Sequence, residues 1–184
     1  MNNNFKPFYE ITFIASEVEY NFKDWTHQPL IKQDAAKITA QVNQWHQACF
    51  QLYKKLNEEY PETAEVAQEL RKKIEGFMEN LPLIKCFSSE AITDEDWKEI
   101  QDVVKIPNLE REEVTVDKMN RFELNKYIEE IEEIAMRAEK KFSLFKKLKL
   151  MKEEMKLFIL SLFPYKGKTF VLKGYDDINA KLDD

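Results

Sequence analysis

The sequence predicts a mainly α-helical protein: an elongated bundle of long antiparallel helices with one short β-hairpin near the C-terminus. Only three glycines occur among 184 residues, against an average share of about 7%, which disfavours glycine-rich nucleotide folds and turn-dense β-sandwiches. Charged residues make up 34% of the chain, more than the ~25% of an average soluble protein. Apolar residues recur at steps of three and four through most of the chain, as they do on one face of a helix.

The first two helices are predicted from their apolar faces. Residues 6–25 have one such face, and its pattern breaks near Pro29. Asp34 then occupies the position expected for the N-cap of the next helix. That helix has the most regular apolar face of the chain, and Trp45 lies in its middle, where we expect a buried anchor. The face consists of Ile38, Val42, Trp45, Cys49, Leu52 and Leu56.

A third helix is predicted to begin at Pro61, because proline is favoured in the first turn of a helix. Its apolar face is expected to end at Leu81, and Pro82 is expected to terminate the helix. Two helices joined by so short a break predict a helical hairpin. The face of the third helix consists of Ala67, Leu70, Ile74, Phe77 and Leu81.

Residues 93–96 have the form of a capping box and predict a short helix that contains Trp97 and ends near Pro107. Residues 112–116 are predicted to form a short extended stretch, followed by Asp117 as a helix N-cap. The longest helix is predicted over residues 122–155, with an acidic first half and a basic second half.

Residues 157–172 predict a β-hairpin, because strand-forming residues flank a turn at residues 164–167. An isolated two-stranded hairpin is marginal in water, so we expect the face containing Leu162, Phe170 and Leu172 to pack on neighbouring helices. Another helix is predicted to start after Gly174. We divide the chain into domains 1–116 and 117–184 and interpret it as a fragment of a larger protein.

Charge, apolar stretches and cysteine content disfavour nucleic acid and membranes as partners and indicate the cellular setting. The formal net charge is −6 and the isoelectric point is about 5.2, which disfavours binding to nucleic acid because cation contacts dominate phosphate affinity. No apolar stretch approaches the length of a membrane span of about 18 residues, so we expect no membrane partner. Two cysteines do not form a disulfide framework and indicate a reducing, intracellular setting.

No pattern in the sequence predicts an active site. Gly167-Lys168-Thr169 is similar to the end of a phosphate loop, but Leu162 stands where such a loop needs a glycine, and a strand is predicted to follow. His46 and Cys49 have the spacing of two metal ligands on a helix, whereas a structural zinc site needs four. A Cys–His nucleophile pair would lack a third, orienting group. We therefore expect neither enzymatic activity nor a metal or cofactor.

Several segments form an ordered set of motifs. Phe5-Lys-Pro-Phe-Tyr9 precedes Trp25, and Phe77-Met-Glu-Asn-Leu81-Pro82-Leu-Ile84 precedes Trp97. In this order and spacing they resemble the start of the linker region of dynein heavy chains. Glu95 and Asp96 depart from the Arg-His usually found in that family.

Further motifs near the C-terminus are Met151-Lys-Glu-Glu154, Pro164-Tyr-Lys166, Val171-Leu-Lys-Gly174, Asp177-Ile178 and Leu182-Asp-Asp184. They resemble the axonemal form of the same region. Met155 and Lys141 depart from it, since the family usually has tryptophan and glutamate at these positions. The residues selected as structural or family-motif positions are Trp45, Phe77, Leu81, Pro82, Trp97, Pro164, Tyr165, Leu172, Lys173, Gly174, Asp177, Leu182 and Asp183.

The resemblance implies a non-catalytic, mechanical function. In dyneins the linker is a helical arm across a ring of AAA+ modules; it joins the tail to the motor and swings as ATP is hydrolysed. The implied partners are the AAA+ ring of the same heavy chain and other dynein subunits, with microtubules reached only through the parent motor. The implied location is the cytoplasm and cytoskeleton, in the axoneme of a cilium or flagellum. A stand-alone helical adaptor that binds partner helices is the main alternative, and an enzyme with a degenerate phosphate site is the third.

Overall fold

The computed structural model describes residues 5–106, 108–156, 161–167, 169–173 and 179. The helices in this part are α1 (Lys6–His27), α2 (Ala35–Leu56), α3 (Pro61–Met78), α4 (Leu81–Ser88), α5 (Asp94–Val104), α6 (Val116–Arg121) and α7 (Ile128–Lys156). The strands are β1 (Ser161–Tyr165) and β2 (Thr169–Lys173), which pair antiparallel. Short 3-10 helices cover Leu30–Lys32, Arg111–Glu113 and Leu124–Tyr127. The predicted mainly α class with a hairpin near the C-terminus is confirmed.

The chain divides into two compact units, unit 1 over residues 1–139 and unit 2 over residues 140–184. Helix α7 contributes residues to both. Of the helices in the described part, none combines the length and the apolar character needed to cross a lipid bilayer. The domain division after residue 116 stays a prediction.

Helices α2 and α3 form the predicted helical hairpin of unit 1. The Asp34 side chain accepts a hydrogen bond of 3.1 Å from the backbone N–H of Lys37, which confirms it as the N-cap of α2. Pro61 lies in the first turn of α3, as predicted. Every residue of the predicted α2 face is buried. The helical period of the sequence therefore identifies the core side of this hairpin correctly.

The prediction that Pro82 terminates a helix is wrong. Helix α3 ends at Met78, and Pro82 lies in the first turn of α4, which begins at Leu81. A proline is tolerated there because the first N–H groups of a helix have no intrahelical partner. Leu81 consequently belongs to α4 and not to the end of α3.

The segment before α7 is more helical than its sequence predicts. In the stretch expected to be extended, only Val114 and Thr115 have extended backbone, between a 3-10 helix and α6. The cap of α6 is Thr115, whose side chain accepts from the Lys118 N–H at 3.2 Å. Asp117 lies inside the first turn and is not the N-cap. Val114 and Val116 are both buried, and at Val116 core packing overrides the preference of valine for strands. Helix α7 begins at Ile128 because Glu123 adopts a left-handed conformation (φ 52°) ahead of a 3-10 turn.

The hairpin of unit 2 pairs Leu162 with Leu172 and Pro164 with Phe170. Residues 157–160 of the predicted hairpin lie outside the described residues, as does the side chain of Leu172. The described apolar side chains do not pack as expected, because Leu162 is 60% exposed and Phe170 is 70% exposed. Within the described part of the chain, this face of the hairpin is turned to solvent.

Candidate functional site

Two of the selected motif residues, Trp45 and Phe77, meet in an aromatic cluster with Phe22 and Trp25. Phe22 stacks on Phe77 with ring centroids 4.1 Å apart, and Trp25 stacks on Trp45 at 5.7 Å. Trp25 and Phe77 are 5.8 Å apart. Because these rings come from α1, α2 and α3, the cluster fixes the three helices to one another.

Trp45 places a buried polar group in this cluster. Only 3% of the residue is exposed, which confirms the predicted burial. Its indole Nε1 donates a 3.0 Å hydrogen bond to Oε2 of Glu17 on α1. A buried donor without a partner would cost about 1–3 kcal/mol, so Glu17 makes the buried position of this indole compatible with folding.

Trp97 anchors a second group of aromatic contacts, between α4 and α5. Its ring meets Phe87 edge to face at 5.5 Å, and its Nε1 donates to the carbonyl oxygen of Leu109 at 2.8 Å. The capping box predicted at the start of α5 is confirmed, with Thr93 and Asp96 bonded to each other. The motif tryptophan thus fixes the course of the chain after α5.

Arg111 has a structural position that the sequence did not indicate. Its guanidinium donates to the carbonyl oxygens of Ile92 and Ser89, at 2.8 Å each. These bonds hold the connection between α4 and α5. No local motif marks an arginine that bonds to carbonyls about twenty positions earlier, so only the folded structure identifies it.

The two cysteines are buried and unsuited to nucleophilic chemistry. Burial raises the pKa of the Cys49 thiol to about 11, and it does the same for Cys86. Since the thiolate is the nucleophile and the metal ligand, both groups stay neutral near pH 7. Among the residues that the structure describes, no three His, Cys, Asp or Glu side chains are grouped to hold a metal ion.

His46 is part of a polar bridge between α2 and α3. Its Nε2 lies 2.8 Å from Oε1 of Glu75 and 3.0 Å from Nε of Arg71. The hydrogen bond with His46 is the main reason why the pKa of Glu75 is lowered. This ring therefore contacts an ion pair on the protein surface.

The segment that is similar to a phosphate loop is a hairpin turn. Gly167 has a φ of 69°, a left-handed conformation that favours glycine, and β2 begins at Thr169. The Thr169 hydroxyl donates to the carbonyl of Tyr165 across the turn, at 3.2 Å. A phosphate loop instead leads into a helix whose N-terminus receives the anion, and Lys168 lies outside the described residues.

The remaining C-terminal motif residues are only partly described. Pro164 and Tyr165 lie on β1 with exposed side chains, and Leu172 and Lys173 contribute their backbone to β2. Four further motif residues lie outside the described part: Gly174, Asp177, Leu182 and Asp183.

The described motif residues of unit 1 thus make packing contacts in a module of helices, which defines the class as a mainly α-helical protein. A comparison with protein families identifies this module: the profile described as "Dynein heavy chain, N-terminal region 2" matches residues 1–184. The chain therefore belongs to the dynein heavy chain family and corresponds to an N-terminal region of it.

Comparison with individual proteins gives the same family. The chain is 26% identical to dynein axonemal heavy chain 3 of Homo sapiens over 185 residues, which covers 100% of this chain and 4% of that protein. It is 25% identical to dynein axonemal heavy chain 1 of Homo sapiens, again over 100% of this chain and 4% of the relative. Dynein axonemal heavy chain 3 of Mus musculus is 26% identical over 97% of this chain. The chain thus spans only a small fraction of the length of these relatives.

Proposed function

We propose that this chain is a non-catalytic, mechanical linker segment of a dynein motor, which joins the tail to the AAA+ ring and transmits the ATP-driven power stroke along microtubules. The observation that supports this most is the match of the family's N-terminal region along the whole chain. In this proposal the motif residues Trp45, Phe77 and Trp97 have a structural role, since each packs in the core of unit 1.

The local structure is compatible with transmission of force. Helix α7 has 29 residues, which gives a length of about 43 Å at 1.5 Å per residue. The aromatic cluster holds α1, α2 and α3 together through stacked rings. With three glycines in the sequence, few positions offer the backbone freedom of a hinge.

The partners and location follow from the same proposal. The AAA+ ring of the same heavy chain is the main partner, and other dynein subunits are further ones. Microtubules are contacted only by the parent motor, whose ATPase sites are assigned to modules outside this segment. We propose a cytoskeletal location, in the axoneme within the cytoplasm of a cilium or flagellum, because these relatives are named axonemal heavy chains.

A stand-alone helical adaptor is the second candidate. It is favoured by exposed aromatic side chains near the start of α1: Tyr9 and Phe13 lie on the helix, and Phe5 directly precedes it. Exposed aromatic groups on a helix are typical of surfaces that bind partner helices. The two candidates differ in whether the segment transmits movement, which the following experiment measures.

The test is a helix-breaking substitution in the intact heavy chain. Ser143 is exposed within α7, so Ser143→Pro removes a helical hydrogen bond, and its ring clashes with the carbonyl of residue 139. We expect ATP turnover to persist and the velocity of microtubule gliding to fall, because the ATPase modules are intact while the linker is kinked. Ser143→Ala is the matched control and should leave both rates unchanged.

Unchanged gliding in the Ser143→Pro motor would overturn the linker proposal and favour the adaptor. Equal loss of ATP turnover and gliding, with a normal melting profile, would show a direct role in the ATPase cycle and would also contradict it.

A further inference from the structure

Unit 2 presents an apolar surface that the described part of the chain does not cover. Four side chains of α7, which we call the α7 stripe, lie on one face of the helix, and Phe145 is 67% and Leu148 is 62% exposed. The stripe consists of Leu144, Phe145, Leu148 and Met151. Steps of three and four residues place these groups along one side. The first half of α7 differs, since its apolar residues Ile131 and Ile134 are buried in unit 1.

The α7 stripe is bordered by positive charge. Residues 140–156 contain seven lysines and two glutamates, although the whole chain has a net charge of −6. Lys147 and Lys149 lie about 100° to either side of Leu148 around the helix. A groove of about 450 Å³ beside the stripe has both apolar and positively charged walls. It is lined by Phe145, Leu148, Lys149, Lys152, Glu153 and Lys156.

We propose that the α7 stripe is the docking site of an acidic amphipathic helix that belongs to the same dynein heavy chain, outside this segment. An apolar row on one helix is matched by the apolar face of a second helix. Lysines on both flanks select glutamate or aspartate at the borders of the partner, as charged flanking positions do in paired helices. A second copy of the α7 stripe would instead place lysines against lysines.

The length of the related heavy chains indicates that the docking helix belongs to the same polypeptide. This segment spans 4% of its human relatives, so most of a heavy chain of that size is covalently attached to it. A tethered helix has an effective concentration in the millimolar range for a short linker, which gives it an advantage over a separate subunit of equal affinity. The inference depends on membership of the heavy chain family and not on the proposed power stroke.

Photo-cross-linking in the intact, purified heavy chain tests this proposal. A benzophenone amino acid replaces Leu148, and a matched control has the same group at Ser143, about 140° around the helix from Leu148. We expect the Leu148 probe to form an intrachain cross-link to one acidic amphipathic helix, several-fold above the control. A cross-link to another subunit, tubulin or lipid, or equal yields at both positions, would overturn the proposal.

Charge reversal provides a second, independent measurement. In the Leu148 probe protein, Lys147→Glu with Lys149→Glu should lower the cross-link yield several-fold, and exchange of the partner helix's acidic residues for lysine should restore it. The basal ATPase rate reports that each variant is folded. A yield that does not change with charge reversal, at normal ATPase rate, would contradict an acidic partner whether or not the linker proposal holds.

Discussion

At the scale of single residues, Trp45 shows why a large side chain with one polar atom occupies the centre of unit 1. Its ring stacks on Trp25, and its Nε1 donates to Glu17. The sequence predicts the burial of Trp45 because its neighbours on α2 follow a strict helical period. It does not predict Glu17 as the acceptor, since a contact between two helices depends on how they pack.

Replacement of Trp45 by alanine should greatly destabilise unit 1. Loss of a buried aromatic side chain costs about 3–5 kcal/mol, a large fraction of the stability of a typical domain. Trp45→Phe is the matched control, because it keeps a ring in the aromatic cluster and loses the bond to Glu17, for about 1 kcal/mol. Urea unfolding of both variants measures the difference. An unfolding free energy unchanged by Trp45→Ala would show that the cluster does not stabilise the fold.

The thiols of Cys49 and Cys86 should be protected from alkylation. Burial raises the pKa of each to about 11 from an ordinary value of 9.0, so the folded protein holds these protons until the pH approaches 11. The neutral thiols therefore favour the folded state below pH 9, and this contribution is lost as the pH rises from 9 to 11. We expect slow reaction with a thiol reagent at pH 8.

An exposed cysteine introduced by Glu58→Cys, in the turn between α2 and α3, is the control for thiol reactivity and should react rapidly at pH 8. Equal rates for the native and introduced thiols, under conditions where the protein is folded, would contradict the burial of Cys49 and Cys86.

At the scale of elements, the sequence predicts helices well where an apolar period and a cap coincide. Asp34 and the α2 face are of this kind, and so is the capping box at Thr93. Prediction fails where one residue type is compatible with two different structural positions. Pro82 is compatible with the end of one helix or with the first turn of the next. Val116 favours a strand locally but is the buried first residue of α6, whereas Val114 keeps the extended backbone that was predicted.

Removal of the cap at Thr93 should weaken α5. The Thr93 hydroxyl accepts from the Asp96 N–H at 3.4 Å and donates to the Asp96 carboxylate at 2.6 Å. Thr93→Ala should cost about 1 kcal/mol, and Thr93→Ser should retain most of that stability because it keeps the hydroxyl. Thermal unfolding compares the two variants. Equal melting temperatures for Thr93→Ala and Thr93→Ser would contradict the role of the cap.

At the scale of the whole molecule, two units of different surface character belong to one region of a dynein heavy chain. In unit 1 the apolar motif residues of the candidate site could be predicted, because buried residues of a helix recur every three or four positions in the sequence. Arg111 was not predictable, since its bonds to distant carbonyls leave no local pattern. In unit 2 the exposure of the α7 stripe is visible only in the folded chain, because its apolar period is the same as that of a buried helix face.

The central claim, that this segment moves with the ATP cycle, is tested most directly by distance measurements in the intact motor. A fluorophore attached through an encoded amino acid at the exposed position Glu58, paired with a second fluorophore on the AAA+ ring, reports their separation by energy transfer. We expect at least two transfer efficiencies, whose populations change between the ATP-bound and the nucleotide-free motor. A single efficiency that is the same in every nucleotide state, in a motor that still moves microtubules, would contradict it.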